Sequence, residues 1–202
     1  VYNKIIARML EMGWTGTISH NNFNEPLMDP SIVDKIALMR RNFPKNRLVL
    51  YSNGDFLTMP LMDALVAAGL SEIWIADHPP TPKRWHDTVD ECEAKYPRNV
   101  VLRGPVEQKP WLVRYSGTAA PAFAVRKTRC EAVYGWFMIL YNGDVNLCSC
   151  EPLRMYIQGN IMESPILDIW RKSKVLAVRN SAADGVNPAP TCAACMKGSD
   201  EA

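Results

Sequence analysis

Residues 47–76 read RLVLYSNGDFLTMPLMDALVAAGLSEIWIA, and this stretch decides the fold class. Its two ends, residues 47–51 and 72–76, are short runs rich in branched and aromatic side chains, which is the pattern of buried strands. Residues 60–68 between them predict a helix that ends at Gly69. A strand, a helix and a strand within about 30 residues form a βαβ unit, so the two strands are predicted to be parallel.

The same alternation extends to both sides of this unit. The further elements predicted there are a helix over residues 2–12, a strand over 17–20, a helix capped by Asp29, a helix over 81–95 and a strand over 99–103. Parallel strands joined by helices must bury both faces of their sheet. Residues 1–104 are therefore expected to form an α/β domain, either an open sheet or part of a (β/α) barrel, with ligands at the carboxyl ends of the strands.

The pattern changes after residue 104. Residues 105–127 contain three prolines and no regular period, which predicts a linker. Residues 128–202 are expected to form a small second domain. It contains a β-hairpin built from residues 136–141 and 144–147 with its turn at Asn142-Gly143, followed by a helix over residues 165–178.

Composition excludes several classes of partner. The 202 residues carry a formal net charge of +2, too small to favour nucleic acid or an anionic membrane surface. The longest purely apolar run covers only residues 136–141, and no secretory signal opens the chain, so a cytoplasmic protein is expected. Its partner is expected to be a small-molecule or peptide substrate. Because the chain begins at Val1 within a helical pattern, an upstream segment is expected to be missing.

Four of the six cysteines suggest a metal centre. Cys130 precedes the hairpin, Cys148 follows it, and Cys192 and Cys195 form a Cys-x-x-Cys pair. Four thiolates suit a structural zinc ion and an iron–sulfur cluster equally well, and a disulfide pair fits the spacing less well. Cys92 lies alone on a predicted helix and is expected to be a buried apolar residue.

A family resemblance favours the iron–sulfur cluster. Cys130, Gly143 and Cys148, together with residues 158–161 (QGNI) and 169–170 (IW), resemble the SPASM/twitch domain of radical S-adenosylmethionine (SAM) enzymes. The resemblance implies the shorter twitch form, with one auxiliary 4Fe-4S cluster. Its ligands would be Cys130, Cys148, Cys192 and Cys195. Cys150 lies two residues beyond Cys148 on the same strand face and competes with it as a ligand.

The first domain carries motifs of the same superfamily. Residues 24–27 (NEPL) resemble its Gly-Glu-Pro motif, and residues 51–54 (YSNG) resemble its Thr-Asn-Gly motif at the next strand end. The resemblance implies that SAM is bound by Asn24, Glu25, Pro26, Ser52 and Asn53. Asp77 follows the third strand and is expected, from that position, to accept a hydrogen bond from the ribose of SAM. Residues with an implied place near the substrate are His20, Asn22, His78 and the segment 114–117.

The implied function is that of a radical SAM enzyme. It would abstract a hydrogen atom with a 5′-deoxyadenosyl radical, and its auxiliary cluster would support oxidation or modification of the substrate, with flavodoxin or ferredoxin as electron donor. The family's Cys-x-x-x-Cys-x-x-Cys loop does not occur in the sequence, so a second 4Fe-4S cluster is expected upstream and the chain alone is expected to be inactive. The alternative is a non-catalytic iron–sulfur or zinc module that serves as an electron carrier or scaffold.

Overall fold

The computed structural model describes residues 1–21, 23–78, 82–103, 131–148, 154 and 156–184. They form two compact units, one of Trp14–Lys109 and one of Val1–Gly13 with Pro110–Ala202. Helix α1 (Tyr2–Glu11) therefore packs with the C-terminal unit, whereas its sequence neighbours suggested the first domain. The reason is that Ile6 and Met9 are buried and Arg8 Nε donates to the carbonyl oxygen of Ile161 at 3.2 Å. None of the helices in the described ranges is long and apolar enough to span a membrane.

The N-terminal unit is a four-stranded parallel sheet with helices between its strands. Its elements are β1 (Ile18–Ser19), a short 3-10 helix (Pro26–Met28), α2 (Ile32–Asn42), β2 (Leu48–Ser52), α3 (Met59–Ala67), β3 (Glu72–Ala76), α4 (Lys83–Lys95) and β4 (Val100–Arg103). The strands lie side by side in the order β1-β2-β3-β4, and each neighbouring pair is parallel. The predicted α/β class is confirmed, and all carboxyl ends of the strands meet at one edge.

The two faces of this sheet differ in burial. Leu50 of β2 pairs in register with Ile73 of β3, and both side chains are fully buried on one face. Tyr51 pairs with Trp74 on the other face, where Tyr51 remains 41% exposed. Within the described residues, one face of the sheet is thus fully buried, as expected, and the other face is only partly covered. Cys92 of α4 is completely buried, as predicted, with its Sγ atom 3.3 Å from Sδ of Met59.

Helix α2 begins later than predicted. Asp29 closes the short 3-10 helix instead of capping α2, and its Oδ1 atom accepts hydrogen bonds from the backbone nitrogen and hydroxyl of Ser31 at 2.9 and 2.6 Å. Lys35 forms an ion pair with Oδ2. Burial raises the pKa of Asp29, but the hydrogen bonds from Lys35 and Ser31 outweigh it and lower that pKa to about 2. The carboxylate that sequence assigned to the helix start instead fixes the turn before it.

The C-terminal unit combines helices with a small antiparallel sheet. After α1 its elements are α5 (Glu131–Gly135), β5 (Met138–Ile139), β6 (Asp144–Asn146), β7 (Gly159–Asn160), α6 (Ile166–Arg171) and α7 (Ser173–Ala183). The strand order is β5-β6-β7. Sequence predicted the first two strands but not β7. The predicted linker over residues 105–127 lies outside the described residues.

The hairpin turn differs from the predicted two-residue form. The backbone nitrogen of Gly143 donates to the carbonyl oxygen of Leu140 at 2.9 Å, so Tyr141 and Asn142 occupy the centre of the turn. Gly143 follows with φ +91°, and a Cβ atom there would lie 2.8 Å from Oδ1 of Asn160. Glycine is therefore required at position 143 both by the left-handed backbone and by the close third strand.

The helix predicted over residues 165–178 is two helices. Lys172 has φ −53° and ψ 133°, an extended conformation that ends α6 before α7 begins at Ser173. The break redirects the chain, so that Ile169 of α6 and Val175 of α7 are both buried on separate helices. An uninterrupted amphipathic pattern in the sequence conceals this change of direction.

Candidate functional site

Glu25 joins two strand ends at the carboxyl edge of the parallel sheet. Its Oε1 atom accepts hydrogen bonds from the backbone nitrogen of Leu27 at 2.9 Å and from the hydroxyl of Ser52 at 2.8 Å. Its Oε2 atom accepts one from the backbone nitrogen of Asn53 at 2.9 Å. Glu25 follows β1 and Ser52 ends β2, so one carboxylate connects the motif at residues 24–27 to the motif at residues 51–54.

The loop after β2 is held by its own side chains. The hydroxyl of Ser52, which is 5% exposed, accepts from the backbone nitrogen of Gly54 at 2.9 Å while it donates to Glu25. The indole nitrogen of Trp85 donates to the carbonyl oxygen of Asn53 at 2.8 Å. Gly54 has φ +77°, and a Cβ atom there would lie 2.7 Å from that indole nitrogen. The loop therefore approaches α4 too closely for any larger residue at position 54.

The other predicted residues among those described lie at the same edge. Asn24 is exposed, Pro26 is buried at the start of the 3-10 helix, and Asp77 and His78 follow directly after β3. Three neighbouring strands thus contribute residues to one edge, as their parallel pairing requires. Asn22 and the segment 114–117 lie outside the described residues.

His20 follows β1 in a setting that disfavours its charged form. Burial is the main cause, the positive charge of Lys35 adds to it, and together they outweigh Asp29 and lower the pKa of His20 to about 4. The imidazole is therefore neutral at pH 7, and as a neutral ring it has one nitrogen that donates and one that accepts a hydrogen bond.

The strand-edge residues fit the amino group of SAM. A carboxylate has about four acceptor positions. The three hydrogen bonds that Glu25 accepts from its own chain occupy two at Oε1 and one at Oε2. Among the described residues, these bonds leave one acceptor position on Oε2, which suits an ammonium donor. The backbone contacts that engage Glu25 hold the carboxylate in place before a ligand arrives.

Cys148 is the one predicted metal ligand among the described residues. It is 8% exposed and packs in an apolar cluster with Val133 of α5 and Leu147. Asn146 donates from its side-chain nitrogen to the carbonyl oxygen of Cys148 at 3.1 Å, which fixes the backbone at the end of the hairpin. Cys130, Cys150, Cys192 and Cys195 lie outside the described residues.

The surroundings of Cys148 fit an anionic group. Arg179 of α7 is 3% exposed, and its Nε atom has no hydrogen-bond partner among the described residues. The Nη1 atom of Arg179 donates to the carbonyl oxygen of Val133, which belongs to the same apolar cluster as Cys148. A buried cation beside a thiol-bearing core suits a cluster of iron and thiolates, whose net charge is negative.

Several of these residues were not identified from the sequence. Asn21 accepts at Oδ1 from the hydroxyl of Ser19 at 2.7 Å and from the backbone nitrogen of Tyr51 at 3.1 Å, and so joins β1 to β2. Trp85 and Arg179 were also missed. A signal existed for Trp85, because an aromatic residue stands on the buried face of a helical pattern. None existed for Arg179, since nothing in its local sequence distinguishes it from a surface arginine.

Comparisons with known proteins show similarity in both parts of the chain. Residues 130–196 match the SPASM family, an iron–sulfur cluster-binding domain. The S-adenosyl-L-methionine-dependent 2-deoxy-scyllo-inosamine dehydrogenase of Niallia circulans is 21% identical over 188 residues, covering 92% of this chain and 74% of that protein.

Solved structures extend the similarity to the fold. BtrN in complex with AdoMet and 2-DOIA matches with a TM-score of 0.79 at 20% identity, covering 91% of this chain and 73% of that one. The structure of anSMEcpe with bound AdoMet matches with a TM-score of 0.57 at 13% identity, covering 91% and 71%. The SPASM match and these similarities support a radical SAM enzyme with a C-terminal SPASM/twitch domain, in agreement with the resemblance stated from the motifs. The cofactors of this class are SAM and iron–sulfur clusters.

Proposed function

We propose that this chain belongs to an oxidoreductase that binds SAM at the sheet edge and holds one auxiliary 4Fe-4S cluster in its C-terminal unit. The observation that carries the proposal is the SPASM match over residues 130–196, because that range contains every cysteine assigned to the cluster. These ligands are Cys130, Cys148, Cys192 and Cys195. The thiols remain reduced in the cytoplasm, where we place the protein.

The sheet edge has a defined part in this function. When bound and reduced by one electron, SAM would supply the 5′-deoxyadenosyl radical that takes a hydrogen atom from the substrate, and the auxiliary cluster would offer an acceptor for the electron that remains. Glu25 would accept a hydrogen bond from the amino group of SAM, and Ser52 and Asn53 hold that carboxylate in position. Asn24 and Pro26 would shape the loop around it, and Asp77 would accept a hydrogen bond from the ribose.

The substrate proposed is a small polyhydroxylated molecule. The support is the relative named 2-deoxy-scyllo-inosamine dehydrogenase, which aligns over 92% of this chain. Oxidation of such an alcohol removes one hydrogen atom from carbon, one proton from oxygen and one electron, and yields a ketone. His20 is neutral at pH 7 and lies next to the strand end, and we propose that it contacts a substrate hydroxyl. An external donor such as flavodoxin or ferredoxin supplies the reducing electron.

The metal content of the protein tests the cluster assignment. The chain purified without oxygen is expected to be brown and to contain about four irons for a single 4Fe-4S cluster. Stoichiometric zinc without iron would contradict it. Cys92→Ser is the matched control, because that thiol is completely buried in the other unit and should leave the iron content unchanged.

Product analysis tests the proposed substrate. The full-length protein, incubated anaerobically with SAM, dithionite and 2-deoxy-scyllo-inosamine, is expected to release 5′-deoxyadenosine and a ketone in equal amounts. Formation of 5′-deoxyadenosine that depends on an added peptide instead would show that the protein modifies peptides. That result would reject the proposed substrate while leaving the cluster assignment intact.

A further inference from the structure

Arg179 is a buried cation without a described counter-ion. Its side chain lies in the C-terminal unit with 3% exposure. The guanidinium donates to the carbonyl oxygen of Val133 and, from Nη2, to Oε1 of Gln158 at 2.6 Å. Its central carbon lies 3.4 Å from the centre of the Trp170 ring. Among the described residues no carboxylate forms an ion pair with it. Burial lowers the pKa of Arg179 to about 10, so it stays protonated at neutral pH.

These contacts are insufficient to explain a buried charge. Two neutral oxygen acceptors and one aromatic ring offset only part of the cost of removing a guanidinium from water. Buried charges in proteins are therefore paired, and an arginine buried without a partner is strongly destabilising. The position of Arg179 requires negative charge near it that the described side chains do not provide.

The hydrogen bonds of Arg179 lead to both cysteine-bearing ends of the hairpin. Val133 belongs to α5, which begins directly after Cys130 in the sequence. On the other side, Gln158 donates from Nε2 to the carbonyl oxygen of Asn146 at 3.1 Å. Asn146 in turn donates to the carbonyl oxygen of Cys148 at 3.1 Å. One guanidinium thus connects the chain segments that hold two of the proposed ligands.

We propose that Arg179 balances the charge of the auxiliary cluster and, through Gln158 and Asn146, positions Cys148. This inference rests on the proposed function, because it requires the cluster to be ligated there. A 4Fe-4S cluster with four thiolates is a dianion when oxidised and a trianion when reduced. A fixed positive charge nearby stabilises the reduced form more than the oxidised form, and so raises the reduction potential.

The reduction potential of the cluster tests this role. In the anaerobically purified chain, Arg179→Gln is expected to make the cluster about tenfold harder to reduce, which for a one-electron couple is a shift of about 59 mV to more negative potential. Arg179→Lys keeps the charge and should stay much closer to the original potential. The readout is a redox titration followed by electron paramagnetic resonance.

Two further variants keep the test decisive. Arg171→Gln removes an exposed arginine from the end of α6 and should leave the potential unchanged, because solvent screens that charge. If Arg179→Gln does not fold, Gln158→Glu preserves the side-chain shape and neutralises Arg179 in place, and the same negative shift is expected. Unchanged potentials in iron-loaded variants would overturn the inference alone. A wild-type chain without iron would overturn the proposed function, and the inference with it.

Discussion

Replacement of Glu25 by glutamine tests the central contact of the sheet edge. The carboxylate accepts three hydrogen bonds from its own chain, two at Oε1 and one at Oε2. Glutamine has nearly the same shape but only one acceptor oxygen. If that oxygen keeps the hydrogen bonds from Leu27 and Ser52, the side-chain NH2 group of the glutamine faces the backbone N–H of Asn53. Two hydrogen-bond donors then face each other, and the N–H of Asn53 loses its acceptor.

The magnitude follows from these contacts. An unsatisfied, partly buried donor costs about 1–3 kcal/mol, and the two remaining bonds lose the additional strength that a charged acceptor gives. Glu25 is only partly buried, so water compensates for some of this loss. We expect the local free energy of opening to fall by about 2 kcal/mol.

Hydrogen exchange measures this effect at the affected atoms. A loss of about 2 kcal/mol corresponds to roughly 30-fold faster exchange of the backbone amides of Leu27 and Asn53. The matched control is Asp55→Asn in the same loop. Its carboxylate accepts from the side chain of Asn53 at 2.9 Å but is exposed, so its replacement should change exchange at Leu27 very little.

The result that would refute this reasoning is specific. If Glu25→Gln left exchange at both amides unchanged, the carboxylate would not hold the two strand ends together. If Asp55→Asn accelerated exchange at Leu27 as much as Glu25→Gln did, the loop as a whole would carry the stability, and Glu25 would have no special part in it.

Four other outcomes are expected. The proposed ligands are Cys130, Cys148, Cys192 and Cys195, and replacement of any one of them by serine should remove the iron. If Cys150→Ser lost the iron and Cys148→Ser kept it, Cys150 would be the ligand instead of Cys148. Gly143→Ala should lower the thermal midpoint and cost about 1–3 kcal/mol, because its backbone is left-handed and Asn160 leaves no space. Since the pKa of His20 is lowered from 6.5 to about 4, the unfolded chain binds a proton that the folded chain does not, so stability should fall as the pH drops from about 6.5 to about 4. Urea titrations should show that His20→Gln removes most of this decrease, which is about 3 kcal/mol. Residues 1–202 alone should release no 5′-deoxyadenosine with dithionite, because Cys92 and Cys150 are the only thiols left over and cannot form a three-thiolate loop; measurable product would show an incompletely ligated auxiliary site.

The strands of the first unit were readable from sequence because their burial depends on local composition. Residues 72–76 were predicted as a strand and form β3 with the same bounds. A short run of branched side chains between turn residues has few other stable conformations. The same applies to the helix before Gly69, whose backbone φ of +97° is one that other residues rarely adopt.

Element ends were less predictable because they depend on which partner a polar group finds. Asp29 is a good helix cap by its chemistry, but Ser31 and Lys35 occupy its oxygens in the turn. The helix pattern across Lys172 continues without interruption, yet the chain changes direction there. At Asp29, contacts with neighbouring residues outweighed the local preference.

The local motifs of the site were visible in sequence, since each lies within a few residues of a strand end. The sequence also indicated the class of protein, whereas its assignment of four cysteines as cluster ligands stays a prediction. Contacts between residues far apart along the chain could not be predicted from the sequence. Glu25 and Ser52 are 27 positions apart and meet only because β1 and β2 pair in parallel. Arg179 and Val133 are 46 positions apart, and their contact exists because the chain turns at Lys172 and returns α7 to α5. The sequence shows which side chains carry a charge. Whether that charge is buried, and which groups lie next to it, depends on how distant segments pack together.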